Sequence, residues 1–239
     1  MKALRRPLRS GSLCIMEKRY IFFDLDGTLT DSYEGICRSF EYALNRLGIE
    51  PKPETFRECV GPSVVESLMK YYGVSEETAA EGLRLFREYY ETRGYSENRL
   101  YPDIENVLKT LNAHGKKLMV ATAKPEHMAK QVLEHFGLSD QFCFVAGITF
   151  EGNQRFGDSE IRSTKEDVIN YILKTNDILD PENAVMVGDR GSDIAAARKF
   201  GLQTIGAAYG YGSREELTAA EPDYIAEDPM QLIEIIVQS

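Results

Sequence analysis

Short apolar runs that alternate with amphipathic segments constrain this chain more than any other feature of its sequence. YIFF (20–23), KLMVA (117–121), FCFVA (142–146), AVMV (184–187) and QTIG (203–206) read as strands, with DYIA (223–226) a weaker sixth. Between them lie stretches such as PEHMAKQVLEHFG and SDIAAARKFG, which have helical spacing and close on Gly in the helix-stop position. This alternation predicts an α/β fold in which helices cover both faces of a parallel sheet, giving a three-layer Rossmann-like core. The pattern breaks once, over residues 33–99, where SFEYALNRLG, SVVESLMKYYG and EETAAEGLRLFREYYETRG space apolar residues three or four apart, as at Leu83, Phe86 and Tyr90. The expected organisation is a core of residues 18–32 and 100–239 interrupted by an all-helical domain at 33–99. Tyr89, Tyr90 and Tyr95 lie on a helical stripe and are assigned to the interior of that domain in preference to a substrate cleft.

Composition narrows the partners. A formal net charge of -10 argues against nucleic acid or an anionic membrane surface, so an anionic ligand must be met by local positive charge. Cys14, Cys37, Cys59 and Cys143 form no C-x-x-C pair, which signals neither a zinc site nor a disulfide framework and suits a reducing cytoplasm. His114, His127 and His135 have no metal-ligand spacing. No apolar run approaches the roughly 20 residues of a membrane span. In the basic start MKALRRPLRSGSLCIMEKR, the apolar piece LCIM is too short for a signal-peptide core. Residues 1–17 are expected to be a disordered N-terminal extension, with Met16 as an alternative natural start.

Open parallel sheets bind ligands beyond the carboxyl ends of their strands, which converts the strand pattern into a site. Asp24 and Asp26 follow YIFF, Thr122 follows KLMVA, and Asp189 and Asp193 follow AVMVG, so all five should converge on one edge. One carboxylate can then serve as nucleophile while its neighbour acts as general acid and base, provided that something keeps the first ionised. A divalent metal does so, and hard oxygen ligands select Mg2+ over zinc. Thr122 adds a hydroxyl, and the turn TAKP, ahead of a helix expected to start at Pro125, adds backbone N–H groups suited to an anion. Lys165 opens a further helix and brings positive charge, while Lys124 reads either as a contact to a second anionic group or as a solvated lysine. The set suits phosphoryl transfer, in which positioning and charge stabilisation dominate. YGYGS at 209–213 is read as a turn before the helix SREELTAA.

These motifs resemble those of the haloacid dehalogenase-like phosphohydrolases: DLDGTLTDS the first, VATAK the second, Lys165 the third and VGDRGSDIAAARKFG the fourth. GPS at 61–63 and YGYGS resemble the phosphoglycolate phosphatase-like branch, and the helical insert looks like a small cap domain. The resemblance implies that Asp24 becomes an aspartyl-phosphate and that Asp26 protonates the leaving alcohol and later activates water. It implies Mg2+ held by the Asp24 carboxylate, the Asp26 main-chain carbonyl and Asp189, with Asp193 nearby. Thr122, the N–H of Ala123 and Lys165 would bind phosphoryl oxygens, and Pro62 and Ser63 would help select the leaving group. Ala123 stands where many relatives carry Ser or Asn, and GITFEGNQRFGDSEIRSTK ahead of Lys165 is longer than in close relatives. The expected function is Mg2+-dependent hydrolysis of a small phosphomonoester. A phosphomutase with the same residues and a non-catalytic phosphate-sensing regulator are the alternatives.

Overall fold

The computed structural model describes residues 18–149 and 160–237, which leaves the N-terminal extension and the middle of the long stretch before Lys165 outside the described residues. The described chain divides into two compact units, one running up to Leu29 and on from Leu100, the other Thr30–Arg99.

The first unit is built on Tyr20–Phe23 (β1), Lys117–Pro125 (β2), Phe144–Ile148 (β3), Ala184–Gly188 (β4), Gln203–Ala207 (β5) and Tyr224–Ala226 (β6). They form one sheet in the order β3-β2-β1-β4-β5-β6, and every pairing is parallel. Ile21, Phe22 and Phe23 of β1 are fully buried, as a central parallel strand covered on both faces requires. Phe22, Met119, Ala121 and Met186 pack under Lys165–Thr175 and Gly191–Lys199. The alternate side chains Ile21, Phe23, Leu118 and Val120 face Ile104–Ala113 and Glu126–His135, and Gln231–Val237 packs against the former. Arg214–Ala220 completes the layer beside Gly191–Lys199. The strand order reverses on either side of β1, so the crevice between β1 and β4 lies at the switch point where such sheets bind ligands.

The second unit is helical: Tyr33–Leu47 (α1), Phe56–Cys59 (α2), Val64–Tyr72 (α3) and Glu76–Thr92 (α4). The helices of the first unit follow as Ile104–Ala113 (α5), Glu126–His135 (α6), Lys165–Thr175 (α7), Gly191–Lys199 (α8), Arg214–Ala220 (α9) and Gln231–Val237 (α10). Phe40 lies 5.1 Å from Phe86 and Phe86 stacks on Tyr90 at 5.9 Å, which gives the helical unit an aromatic core of its own. Tyr90 is buried there and accepts a hydrogen bond from Asn98.

Two local expectations need correction. β3 is Phe144–Ile148, displaced from the expected 142–146, because Phe142 and Cys143 belong to the approach to the strand. The segment Thr122–Pro125 is an irregular continuation of β2 in place of a turn, and the helix begins at Glu126. Pro125 stays extended because it still pairs with Ile148, across a register shift that opens after Ala121.

Candidate active site

Asp24 leaves β1 with its N–H bonded to Val187 O of β4 at 2.9 Å, which fixes it at the switch point. Lys165, the first residue of α7, reaches it with Nζ 2.9 Å from Asp24 Oδ1 and 2.8 Å from Asp193 Oδ1. The same ammonium donates to Ala121 O at 3.0 Å, so its position depends on the end of β2 as well. A capping box places α7: Asp167 N–H donates to Thr164 Oγ1 and Thr164 N–H donates to Asp167 Oδ2.

Asp189 and Asp193 flank the start of α8, and both are buried. Arg190 N–H donates to Asp193 Oδ2 at 3.1 Å. Oxygens of Asp24, Asp189 and Asp193 all lie within 4.8 Å of one another. Burial pushes the Asp189 carboxyl up to about 8, with Asp193 and Asp24 adding to the rise. Burial also raises Asp24 to about 6, against the pull of Lys165 and with a push from Asp193. Burial alone would lower Lys165, but Asp193 and Asp24 outweigh it and hold the ammonium above its ordinary range. Three buried carboxylates against one ammonium leave this cluster short of positive charge. An all-oxygen donor set of that charge fits a hard divalent cation such as Mg2+.

Asp26 stands apart from the cluster. Lys124 Nζ lies 2.6 Å from Asp26 Oδ2, so this lysine is bound to a carboxylate and is not a solvated side chain. The other oxygen, Asp26 Oδ1, is buried with no hydrogen-bond partner among the described residues. That oxygen is left with unused hydrogen-bonding capacity. Thr122 is buried and its Oγ1 accepts the Lys124 N–H at 3.2 Å, whereas Ala123 is exposed. Pro62 and Ser63 belong to the helical unit, where both are exposed and the Ser63 hydroxyl caps α3 by accepting Glu66 N–H at 3.1 Å.

The loop after β5, read from sequence as a plain turn, also serves the site. Tyr211 N–H and Gly212 N–H donate to Asp189 Oδ2 at 2.8 and 3.3 Å. Tyr209 donates to Thr28 O at 3.1 Å, tying the loop to the segment after Asp26. Gly27, at φ +84°, has no room for a side chain, since a Cβ would sit 2.3 Å from Asp189 Oδ2. The paired glycines of GYG, Gly210 and Gly212, were the available signal for the loop's own close approach to Asp189.

A family model described as haloacid dehalogenase-like hydrolase matches residues 21–207. A Pseudomonas aeruginosa protein named 5'-nucleotidase is 36% identical over 217 residues, covering 90% of this chain and 94% of its own. A Vibrio vulnificus phosphoglycolate phosphatase is 31% identical over 233 residues, covering 93% of this chain and 98% of its own. The solved structure of protein tyrosine kinase A from Mycobacterium tuberculosis has a TM-score of 0.76 at 35% identity, covering 92% of this chain and 98% of that one. No helix among the described residues is long and apolar enough to cross a membrane.

Proposed function

Because this chain belongs to the haloacid dehalogenase-like hydrolases, in their phosphoglycolate phosphatase-like branch, and is a phosphomonoester hydrolase, we propose that it releases phosphate from a small soluble ester through an aspartyl-phosphate on Asp24. An Asp24 oxygen attacks phosphorus, the bond from phosphorus to the ester oxygen breaks, and Asp26 gives the departing alkoxide its proton. Asp26, now ionised, takes a proton from water; the resulting hydroxide attacks phosphorus, and inorganic phosphate leaves as Asp24 is restored. Lys124 at 2.6 Å orients Asp26 for both transfers. Lys165, Thr122 and the Ala123 N–H bind the phosphoryl oxygens, and Lys165 also offsets the charge of Asp24 and Asp193.

Asp24, Asp189, Asp193 and the main-chain carbonyl of Asp26 would hold Mg2+. When bound, the ion supplies positive charge that keeps Asp24 ionised and screens the phosphoryl oxygens. The observation that carries this reading is the meeting of Asp24, Asp189 and Asp193 at the switch point, with Lys165 paired to Asp24 and Asp193. Substrate choice is assigned to the helical unit, with Pro62 and Ser63 the first residues to vary. The names of the relatives put 5'-nucleotides and phosphoglycolate first in the panel. A reducing cytoplasm is the compartment we propose.

The test is phosphate release from a panel of monoesters with and without Mg2+, for wild type and Asp24→Asn. Release that needs Mg2+ and vanishes in the folded variant supports the mechanism. Transfer from a sugar bisphosphate without net release would favour the phosphomutase. Phosphate binding without any turnover would favour the sensing role.

A further inference from the structure

The largest fully buried side chain among the described residues has no part in the mechanism above: it is Arg162, 0% exposed. Its Nη2 lies 2.6 Å from Glu126 Oε2 and its Nε donates to Gly147 O at 3.0 Å. The guanidinium carbon stands 4.0 Å from the centre of the Tyr171 ring. The main chain is fastened too, with Arg162 N–H donating to Thr149 Oγ1 at 2.9 Å and Arg162 O accepting Thr149 N–H at 2.8 Å. Glu126 also pairs with Lys130 on its solvent side.

These partners lie on, or directly beside, the two elements that carry the phosphoryl-binding groups, β2 and α7. Glu126 opens α6 directly after the Thr122–Pro125 segment. Gly147 lies on β3 so close to that segment that a Cβ would sit 2.4 Å from Lys124 O and 2.8 Å from Glu126 N. Tyr171 is on α7, whose first residue is Lys165, and Arg162 itself is three residues before that lysine. One side chain thus joins the start of α6, directly after β2, to the end of β3 and to Tyr171 of α7, the helix that Lys165 opens. A buried ion pair seldom stabilises more than well-packed apolar residues of the same volume, so stability alone is a weak reason for a charge here.

We propose that Arg162 is a positioning residue for phosphoryl transfer: it locks the Thr122–Glu126 segment to the start of α7 and so sets where Lys165 meets Asp24. The inference rests on the function proposed above. Its test uses the full chain in four forms: wild type, Arg162→Met, Arg162→Lys, and the double variant Arg162→Met with Glu126→Leu. The readouts are melting temperature, kcat and KM separately on the best ester, and the Kd for inorganic phosphate.

Arg162→Met should melt lower because it removes the buried partner of Glu126 and leaves that carboxylate only the exposed Lys130. The double variant should regain most of the melting temperature yet keep kcat depressed about 10- to 100-fold, as expected when catalytic groups shift by about 1 Å. Phosphate affinity should fall with kcat. Arg162→Lys keeps the charge but loses the fork that spans Glu126 and Gly147, and should lose at least about threefold in kcat while folding normally. Recovery of both melting temperature and kcat in the double variant, or full kcat in Arg162→Lys, would overturn the proposal and leave the mechanism standing. A wild type that neither turns over nor binds phosphate would overturn the functional reading first and this inference with it.

Discussion

Asp189 is the side chain on which the electrostatics of the site turn. It is fully buried, its nearest charged neighbours are carboxylates, and two N–H groups of the loop after β5 are its main compensation. Its carboxyl is raised from 3.8 to about 8. The folded chain thus binds this proton more tightly than the unfolded chain does. The stability linked to it is complete below 3.8 and is lost as pH rises toward about 8. Asp24, raised to about 6, adds a loss of the same sign over a narrower window. Glu81, Glu88, Glu166 and Asp167 shift the opposite way, so their contribution fades only on acidification below the ordinary carboxylate range. Metal-free protein in a chelator should therefore lose stability between pH 5 and 8, and Asp189→Asn should flatten that slope. The advantage of the Asn variant should widen to at least about 1 kcal/mol by pH 8, or about 2–4 °C in Tm for a chain of this size. Thermal melts at several pH values, with and without Mg2+, check this. A wild-type slope that neither the substitution nor the metal alters would show that the cluster is not the source of the strain.

The loop between β5 and α9 is the least conspicuous element of the site and a sensitive one. A Cβ on Gly210 would lie 2.2 Å from Gly27 O and 2.3 Å from Asp189 Cβ, both parts of a packed interior that cannot swing aside. Gly210→Ala should force the loop off Asp189, costing about 1–3 kcal/mol from overpacking, and should lower kcat about tenfold or more through the displaced amides. Unchanged kcat with a lowered Tm would separate the loop from catalysis. What the sequence disclosed about such elements follows from range. The buried parallel strands were legible because an apolar run such as YIFF has few other ways to be satisfied, and the helices because their period of burial is local. Strand ends were not: Pro125 remains extended because Ile148 lies opposite it, a fact of pairing and not of TAKP itself. The carboxylates were legible because they follow recognisable strands. The partner of Lys124, the amides of Tyr211 and Gly212 on Asp189 and the burial of Arg162 were not, because each depends on segments distant in sequence. The short α2, with one turn and no period to display, escaped for a local reason.

The division of the chain has its own consequence. Asp24, Asp26, Thr122, Ala123, Lys124, Lys165, Asp189 and Asp193 all belong to the unit built on the six-stranded sheet, whereas Thr30–Arg99 contributes none of them. Within the sheet unit the two ends of the interruption are neighbours, since Tyr101 N–H donates to Leu29 O at 3.2 Å. Closing that gap with a few residues costs little loop entropy. The helical unit in turn keeps its buried side chains, Phe40, Leu44, Leu68, Phe86 and Tyr90, in one cluster of its own helices. Replacement of Thr30–Arg99 by a short Gly-Ser linker should thus leave a sheet unit that unfolds cooperatively and still hydrolyses a small generic ester in an Asp24-dependent way. Discrimination among natural esters should narrow toward unity, because the remaining groups recognise only the phosphoryl part that all substrates share. The comparison to make is the ratio of kcat/KM between the best and worst esters of the panel, in the intact and shortened chains. A shortened chain that folds but keeps the full ratio would place specificity in the sheet unit. One that folds yet loses Asp24-dependent turnover even on the generic ester would mean that the helical unit supplies a group the chemistry requires.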